Sequence, residues 1–386
     1  MKFFRHLTNL LGILALPREA RRVVFYSEGK NYWIYLQSLI EAILENSDIP
    51  VCYISSDEND PGLHLKHNRF RSFETNEGFI RNWLFENIET DVLVMTMPDI
   101  NSFQIKRSHH KVHYIYVQHS LVSLHMAYRE SAFTHFDTIF CAGPHHAEEV
   151  RALEALHKLP KKSIVKHGYS RIESLINKVK NFPEKEKELH HVLVSPSWGP
   201  SGIIESGNGL SIVQQLISAG LKVTLRPHPQ TIKFANSQVM EIVSQFTGNS
   251  NFNFEANITG QESLLESDIM ISDWSGSALD YAFGLNKPVL FMDVPRKVNN
   301  PNYEKIPLTP IEVSIREKIG NIAQPGADDI VAKVKECYNK TMPPDLLTNI
   351  YNVGRSEEVG ASYIIELAQT LYKKDGVGTD DCGFLS

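Results

Sequence analysis

The densest group of residues suited to chemistry lies within SDIMISDWSGSALD, residues 267–280. An apolar segment at 269–272 predicts a buried strand, and a helix is expected soon after it. Between the two stand Asp273, Trp274, Ser275, Gly276 and Ser277. Ligands of parallel α/β sheets bind beyond the carboxyl ends of strands, and free N–H groups at a helix start bind phosphate. The segment therefore predicts an anion site, with an ordinary helix cap as the alternative, since aspartate and serine are favoured there without a ligand.

Two histidines also follow apolar segments of strand length. His228 lies in LRPHPQ, after Arg226 and between two prolines that stiffen the loop, and His119 lies in VQHS, just before Ser120. A histidine at a strand end can exchange a proton near neutral pH or donate to a diphosphate. We interpret His119 as an acceptor-side base and His228 as a donor-side phosphate ligand. The alternative for His228 is a surface histidine in a proline-braced turn.

The elements that must position these residues alternate between apolar segments of strand length and longer amphipathic segments. This alternation is typical of parallel sheets with crossover helices. Six strands are expected in the first half of the chain, at 22–27, 50–55, 91–95, 112–117, 138–142 and 164–167. Five are expected in the second half, at 190–195, 222–226, 251–254, 269–272 and 289–292. The sequence therefore predicts two α/β domains.

Domain boundaries follow from the linker composition. A Lys- and Glu-rich stretch with Pro183 in its middle separates the two sets of strands. We expect an N-terminal α/β domain at 21–178, a second α/β domain at 186–350 and a C-terminal helix at 355–374 that returns toward the first domain. Residues 375–386 are polar and glycine-rich, which predicts a disordered tail.

The N-terminal segment 1–20 requires a separate interpretation. Apolar residues recur at helical spacing through Phe4, Leu7 and Leu11, and the basic residues Arg18, Arg21 and Arg22 follow. The segment is too short to span a bilayer, which needs about 20 apolar residues. It predicts either an amphipathic helix at an anionic membrane surface or a first helix packed on its own domain.

Composition excludes several classes of protein. The formal net charge of −6 over 386 residues removes the basic balance expected of a nucleic-acid-binding protein. The cysteines lack the spacing of a zinc cluster or a disulfide framework, and no HExxH occurs, so we expect no metal site. They are Cys52, Cys141, Cys337 and Cys382. A reducing cytoplasm fits this pattern.

Several motifs, in order along residues 112–292, resemble those of the CDP-glycerol glycerophosphotransferase family of teichoic-acid primases and polymerases. The Asp-aromatic-Ser motif stands at Asp273 to Gly276, with Ser277 next, and Arg-Pro-His-Pro stands at 226–229. Ser197 and Trp198 resemble the loop that enters the family's second domain, and Arg171 ends an element resembling its Gly-x-Pro-Arg. In place of the family's His-Gly with a nearby lysine, this chain has His119 and Ser120.

The resemblance implies a GT-B fold, with two Rossmann-like lobes whose parallel sheets face a central cleft. The domain at 21–178 would bind the acceptor, and the domain at 186–350 would bind the nucleotide donor. It implies transfer of glycerol phosphate, or a related polyol phosphate, from a CDP-activated donor to a hydroxyl of a lipid-linked or capsular or teichoic-type envelope polymer, with release of CMP. His119 and His228 would be catalytic, Ser120 and Arg171 would lie at the acceptor side or the cleft, and no cofactor or metal would be needed. The donor diphosphate would be bound by Ser197, Arg226, Asp273, Ser275, Gly276 and Ser277.

The implied location is cytoplasmic, with a peripheral position on the inner face of the cytoplasmic membrane if the N-terminal segment binds lipid. The rival enzyme is a GT-B glycosyltransferase that moves a sugar from a nucleotide in capsule or lipopolysaccharide synthesis, because the same diphosphate site serves both reactions. A sugar-nucleotide epimerase and an inactive scaffold at the membrane are the further alternatives.

Overall fold

The computed structural model describes residues 2–102, 105–183, 188–257 and 260–377. The chain divides into two compact units. The first comprises Met1–His119, Arg129–Ser170 and Ile350–Ser386, and the second comprises Ser120–Tyr128 and Arg171–Asn349.

The first unit is built on a parallel sheet of seven strands in the order β3-β2-β1-β4-β5-β6-β7. The strands are β1 Val23–Ser27, β2 Val51–Ser55, β3 Phe70–Glu74, β4 Val92–Met95, β5 His113–Val117, β6 Thr138–Cys141 and β7 Ser163–Lys166. β1, β2 and β4 are buried along their whole length, which is why their sequences are almost continuously apolar.

Helices cover the first sheet. They are α1 Lys2–Ala15, α2 Trp33–Asn46, α3 Phe79–Asn87, α5 Pro144–His157 and α15 Ser356–Val377, with 3₁₀ turns at Arg18–Arg21 and Pro61–His64. α15 packs against α2, and Ile364 and Ala368 of α15 are buried with Leu36 and Ile40 of α2 in one apolar core. α15 continues through Val377, three residues into the segment that the sequence predicted as a tail, and residues 378–386 lie outside the described residues.

Helix α1 packs on its own domain and still presents an apolar outer face. Leu10 and Ile13 are buried, and the His6 ring lies 3.0 Å from a carboxylate oxygen of Glu74. On the outer side Phe4 is 72% exposed and Leu11 is 59% exposed. The structure therefore shows the alternative in which this helix packs on its own domain, and binding to a membrane surface stays a prediction. Among the described residues, no helix is long and apolar enough to cross a membrane.

The second unit has a parallel sheet of six strands in the order β10-β9-β8-β11-β12-β13. The strands are β8 His191–Val194, β9 Lys222–Leu225, β10 Phe252–Phe254, β11 Ile269–Ser272, β12 Val289–Met292 and β13 Gly320–Ala323. The helices are α4 Leu124–Ala127, α6 Ser170–Lys180, α7 Asn208–Ser218, α8 Pro229–Phe234, α9 Asn236–Phe246, α10 Glu262–Glu266, α11 Gly276–Leu285, α12 Ile311–Ser314, α13 Arg316–Ile319 and α14 Ile330–Tyr338, with 3₁₀ turns at Tyr303–Lys305 and Leu346–Asn349.

The two parallel α/β domains expected from the sequence are present. Two strands were missed, β3 and β13, and both are edge strands. The unit boundary also differs from the expected one, because residues 120–128 and 171–178 belong to the second unit. Arg171 forms an ion pair with Asp280 at 2.6 Å, and Leu175 lies against Gly284, so that α6 is held on α11.

Candidate donor-phosphate site

The order of the second sheet reverses between β8 and β11, which are neighbouring strands. In open α/β sheets the crevice beyond the carboxyl ends of such strands is the usual ligand site. The segment after β8 leads to Ser197 and Trp198, and the segment after β11 leads through Asp273 into α11. The residues singled out from sequence therefore stand at the crevice of this unit.

Asp273 fastens these two segments together. Its Oδ1 accepts a hydrogen bond of 2.7 Å from the Ser197 backbone N–H, and its side chain is almost fully buried. Burial raises the pKa of Asp273, while hydrogen bonds from Ser197 and Trp274 lower it in part. A buried carboxylate beside phosphate would repel it, so this geometry suits Asp273 to orienting the Ser197 loop rather than to touching the donor.

Helix α11 begins with a serine cap. The Ser275 Oγ accepts from the Ser277 backbone N–H at 3.3 Å, and the two serine hydroxyls lie 2.7 Å apart. The body of α11 is buried from Ala278 to Leu285, which fixes the direction of its N-terminus. First-turn N–H groups and the positive end of the helix dipole suit an anion here, and the cap that we named as the alternative is also present.

Ser120 lies against the same helix start. A Cβ added to Gly276 would come within 2.5 Å of the Ser120 Oγ, so glycine is what allows this close approach. The segment after Ser120 is anchored by Ser123, whose N–H and hydroxyl donate to the two carboxylate oxygens of Glu312 at 2.8 and 2.7 Å. The structure thereby brings Ser120 together with Gly276 of the predicted anion site.

The Arg226 guanidinium makes its hydrogen bonds with residues outside the predicted anion site. Its guanidinium donates to the Ser263 Oγ at 3.0 Å and to the Gly260 carbonyl at 2.9 Å, and it lies 3.7 Å from Glu255. The side chain is only 4% exposed. These contacts join β9 to the segment before α10, a bracing role that sequence reasoning did not anticipate for this residue.

His228 has a defined tautomer. Its Nδ1 accepts from the Gln230 backbone N–H at 3.1 Å, which places the proton of the neutral ring on Nε2. Burial, together with the positive charge of Lys297, lowers the pKa of His228 to about 4. His228 is therefore neutral at pH 7 and offers an Nε2–H donor, with the Trp198 ring centred 6.1 Å away.

Lys297 is a candidate site residue that sequence reasoning missed. Its ammonium lies 4.8 Å from the centroid of the Trp198 ring, and burial lowers its pKa while Asp273 and Glu205 oppose that effect. The sequence could have indicated it, because Lys297 follows the apolar segment at 289–292, and ligands of parallel sheets bind beyond the carboxyl ends of strands.

Arg171 belongs to the second unit and is paired there with Asp280 of α11. Both side chains are nearly buried, at 11% and 7% exposure. The pair braces α6 against α11, whose N-terminus is the predicted anion site.

His119 is the last residue of its stretch of the first unit, at the carboxyl end of β5. Its Nδ1 lies 3.0 Å from the Tyr116 hydroxyl, and the Tyr32 and Tyr35 rings stand edge-on to it. Burial lowers the pKa of His119 to about 4, and a hydrogen bond to the Thr96 backbone opposes this in part. At pH 7 the imidazole is neutral.

Glu28 is a second residue that the sequence did not single out. It directly follows β1, and the order of the first sheet reverses between β1 and β4. Burial raises the pKa of Glu28 to about 7, with the charge of Glu77 adding to the rise and that of Arg81 opposing it. Glu28 thus titrates near neutral pH at the crevice of the first sheet.

The described residues contain no cluster of three or more His, Cys, Asp or Glu side chains that could hold a metal ion. The family model that describes CDP-glycerol:poly(glycerophosphate) glycerophosphotransferases matches residues 13–298, more than half of the chain. The chain belongs to this family. It is an enzyme of the CDP-glycerol glycerophosphotransferase type.

Solved structures share the fold of this family member. A histidine-to-asparagine variant of the wall teichoic acid polymerase TagF, soaked with CDPG, is similar with a TM-score of 0.60 and 12% identity, covering 96% of this chain and 97% of that one. The UDP-GlcNAc 2-epimerase of Methanocaldococcus jannaschii, in complex with UDP-GlcNAc and UDP, is similar with a TM-score of 0.52 and 11% identity, covering 90% and 99%.

The S. aureus MnaA structure with UDP has a TM-score of 0.55 and 11% identity, covering 92% of this chain and 97% of that one. At such low identity these likenesses bear on the fold alone, and they confirm the GT-B class expected from the sequence. No curated protein sequence matches the chain.

Proposed function

We propose that the protein transfers glycerol phosphate, or a related polyol phosphate, from a CDP-activated donor to a hydroxyl of a lipid-linked or teichoic-type envelope polymer, or of a capsular one. The hydroxyl oxygen bonds to the phosphorus that carries the polyol, the bond from that phosphorus to the bridging oxygen breaks, and CMP leaves. The observation that carries this proposal is membership of the family over residues 13–298. TagF, whose structure was solved after a CDPG soak, has the same fold.

The site in the second unit supports a phosphate-bearing donor. Phosphoryl transfer through a loose transition state depends mainly on positioning and on neutralising charge at the phosphate oxygens. Ser275 and Ser277 place hydroxyls at the buried helix α11, Gly276 keeps the backbone accessible, and His228 offers an N–H. Ser197 is held at the same crevice by Asp273.

His119 is our candidate for the group that takes the proton of the attacking hydroxyl. A histidine with a pKa of about 4 is unprotonated at pH 7, as a base must be, and the Tyr116 hydroxyl orients its ring. Ser120, next in the chain, would then contact the acceptor or the transferred phosphate. We expect His119→Ala to remove transfer while the protein remains folded, and transfer at the wild-type rate would refute this role.

The decisive test is release of CMP. Purified protein would be incubated with CDP-glycerol and lipid-linked acceptors, and CMP would be separated by chromatography. Ser277→Ala should slow release by about tenfold, the loss expected for one charge-assisted hydrogen bond, whereas Ser237→Ala, at the exposed start of α9, should not. Absence of CMP with every CDP-polyol, alongside nucleotide release from UDP- or other nucleotide sugars, would favour the glycosyltransferase instead. Consumption of UDP-GlcNAc without any acceptor would favour an epimerase.

We also propose that the enzyme acts in the cytoplasm at the inner membrane surface, because α1 presents apolar side chains away from its own domain. Phe4 and Leu11 could enter the headgroup region of a bilayer. The double variant Phe4→Glu, Leu11→Glu should float less with anionic vesicles than the wild type, and Met240→Glu, at an exposed position of α9, serves as the control. Equal flotation of all three proteins would reject the membrane proposal.

The proposed reaction requires no cofactor or metal ion, and its partners are the activated donor and the polymer acceptor, with no nucleic acid. Transfer that continues unchanged in excess EDTA is the expected result, and loss of transfer that is restored by a divalent cation would contradict it.

A further inference from the structure

Lys297 is a basic residue at the crevice of the second unit, and it makes no hydrogen bond or ion pair among the described residues. Its ammonium rests over the Trp198 ring at 4.8 Å from the centroid. The side chain is half-buried, and the negative charges of Asp273 and Glu205 raise its pKa against the effect of burial. A cation–π contact holds an ammonium in place without using its three N–H donors.

The position of Lys297 relative to the sheet makes it central to the crevice. It follows β12, whereas Trp198 follows β8 and Asp273 follows β11 between them. Lys297 therefore reaches back across the end of β11, over about two strand spacings of roughly 4.8 Å each. It also acts on the charge state of His228, which follows β9.

Other basic residues near these strand ends are already engaged. Arg226 donates to Ser263 and Gly260. The Arg316 guanidinium donates to the Met292 carbonyl and stacks over the Trp274 ring at 4.1 Å. Their contacts brace the second unit, which leaves Lys297 with its donors available to a ligand.

A diphosphate donor requires positive charge at the leaving phosphate. Negative charge accumulates on the CMP oxygens as the bond to the transferred phosphorus breaks, and fixed cations stabilise it. The neutral Nε2–H of His228 can donate a hydrogen bond but supplies no net charge at pH 7. The α11 N-terminus supplies only a partial charge, equivalent to roughly half an elementary charge.

We propose that Lys297 is the donor-phosphate cation of this enzyme: held on the face of Trp198, its ammonium binds the phosphate oxygens of the CDP-activated donor and stabilises the departing CMP. This proposal rests on the proposed function. It assigns to Lys297 the role that the sequence predicted for Arg226.

Binding and turnover of CDP-glycerol test the assignment. Calorimetry should show that Lys297→Met weakens CDP-glycerol binding by about 10- to 100-fold, as expected for loss of charge-assisted hydrogen bonds, and leaves cytidine binding unchanged. Lys297→Arg should restore most of the affinity, because it keeps the charge. Lys233→Met is the matched control, since Lys233 also lies over an aromatic ring, that of Phe234 at 5.2 Å, on the exposed surface.

The outcomes separate this proposal from the proposed function. Wild-type protein that binds and turns over CDP-glycerol while Lys297→Met does so equally well overturns the role of Lys297 alone. Wild-type protein that neither binds nor turns over any CDP-polyol overturns both. Loss of cytidine and CDP-glycerol binding together in Lys297→Met, with Lys297→Arg equally impaired, would indicate a structural role and also overturn the proposal.

Discussion

Replacing Glu312 by alanine should loosen the segment that carries Ser120. Glu312 accepts hydrogen bonds from the backbone N–H and the hydroxyl of Ser123, at 2.8 and 2.7 Å, and both residues are buried. Alanine leaves two buried donors without these acceptors, at a cost of about 1 to 3 kcal/mol each. We therefore expect Glu312→Ala to lose about 2 to 6 kcal/mol of unfolding free energy.

Two further variants divide this cost. Ser123→Ala removes the hydroxyl and keeps the backbone hydrogen bond, so we expect a loss of about 2 kcal/mol. Glu312→Gln retains one carbonyl oxygen for the N–H and offers an amide to the Ser123 hydroxyl, so we expect a loss of about 1 kcal/mol. The loss of unfolding free energy should therefore decrease in the order Glu312→Ala, Ser123→Ala, Glu312→Gln, and this order is more informative than any single loss.

Urea unfolding followed by tryptophan fluorescence measures the free energies, and amide hydrogen exchange of residues 120–128 reports the local effect. Variants in which residues 120–128 lose exchange protection should also release CMP more slowly, because Ser120 lies against Gly276 at the start of α11. A Glu312→Ala protein whose unfolding midpoint and 120–128 exchange both match the wild type would refute the reasoning.

Three further predictions concern charge. Glu28→Gln should be more stable than the wild type above pH 7 and nearly equal to it at pH 4.5. The reason is that the folded state raises the pKa of Glu28 to about 7 and disfavours its ionisation. Equal stability of the two proteins at pH 8.5, measured by urea unfolding, would contradict this. Burial lowers the pKa of His167 to about 4. Between pH 6.5 and pH 4.5 the wild type should therefore lose about 2.5 kcal/mol more unfolding free energy than His167→Gln. Parallel pH profiles of stability for the two proteins would contradict this. Asp280→Ala should lose about 3 kcal/mol of unfolding free energy, because it removes the carboxylate that pairs with the nearly buried Arg171 guanidinium. Adding Arg171→Met should recover part of that loss, and additive losses in the double variant would exclude coupling.

The predicted anion site shows both the strength and the limit of motif reasoning. The order of residue types predicted that Ser275, Gly276 and Ser277 stand at a helix start after a buried strand, and the structure places them there. The same reasoning grouped Arg226 with them because it follows a strand end. The guanidinium instead donates to Ser263 and Gly260, which lie more than thirty positions away in the chain.

The sequence alone determined the alternation of strands and helices, because strands buried on both faces must be almost continuously apolar. It could not reveal the edge strands β3 and β13, since a half-exposed edge tolerates sequences such as FRSFE and GNIA that carry no such pattern.

Only the tertiary structure decided which polar groups meet. Arg226 donates a hydrogen bond to Ser263 of α10, and the Lys297 ammonium lies over the ring of Trp198, about a hundred positions earlier in the chain. The spacing of apolar residues along the sequence reflects which positions of each strand or helix are buried. The partner of a charged side chain depends on which strand ends are neighbours in the sheet. The reversal of the sheet order between β8 and β11 cannot be predicted from any local sequence pattern.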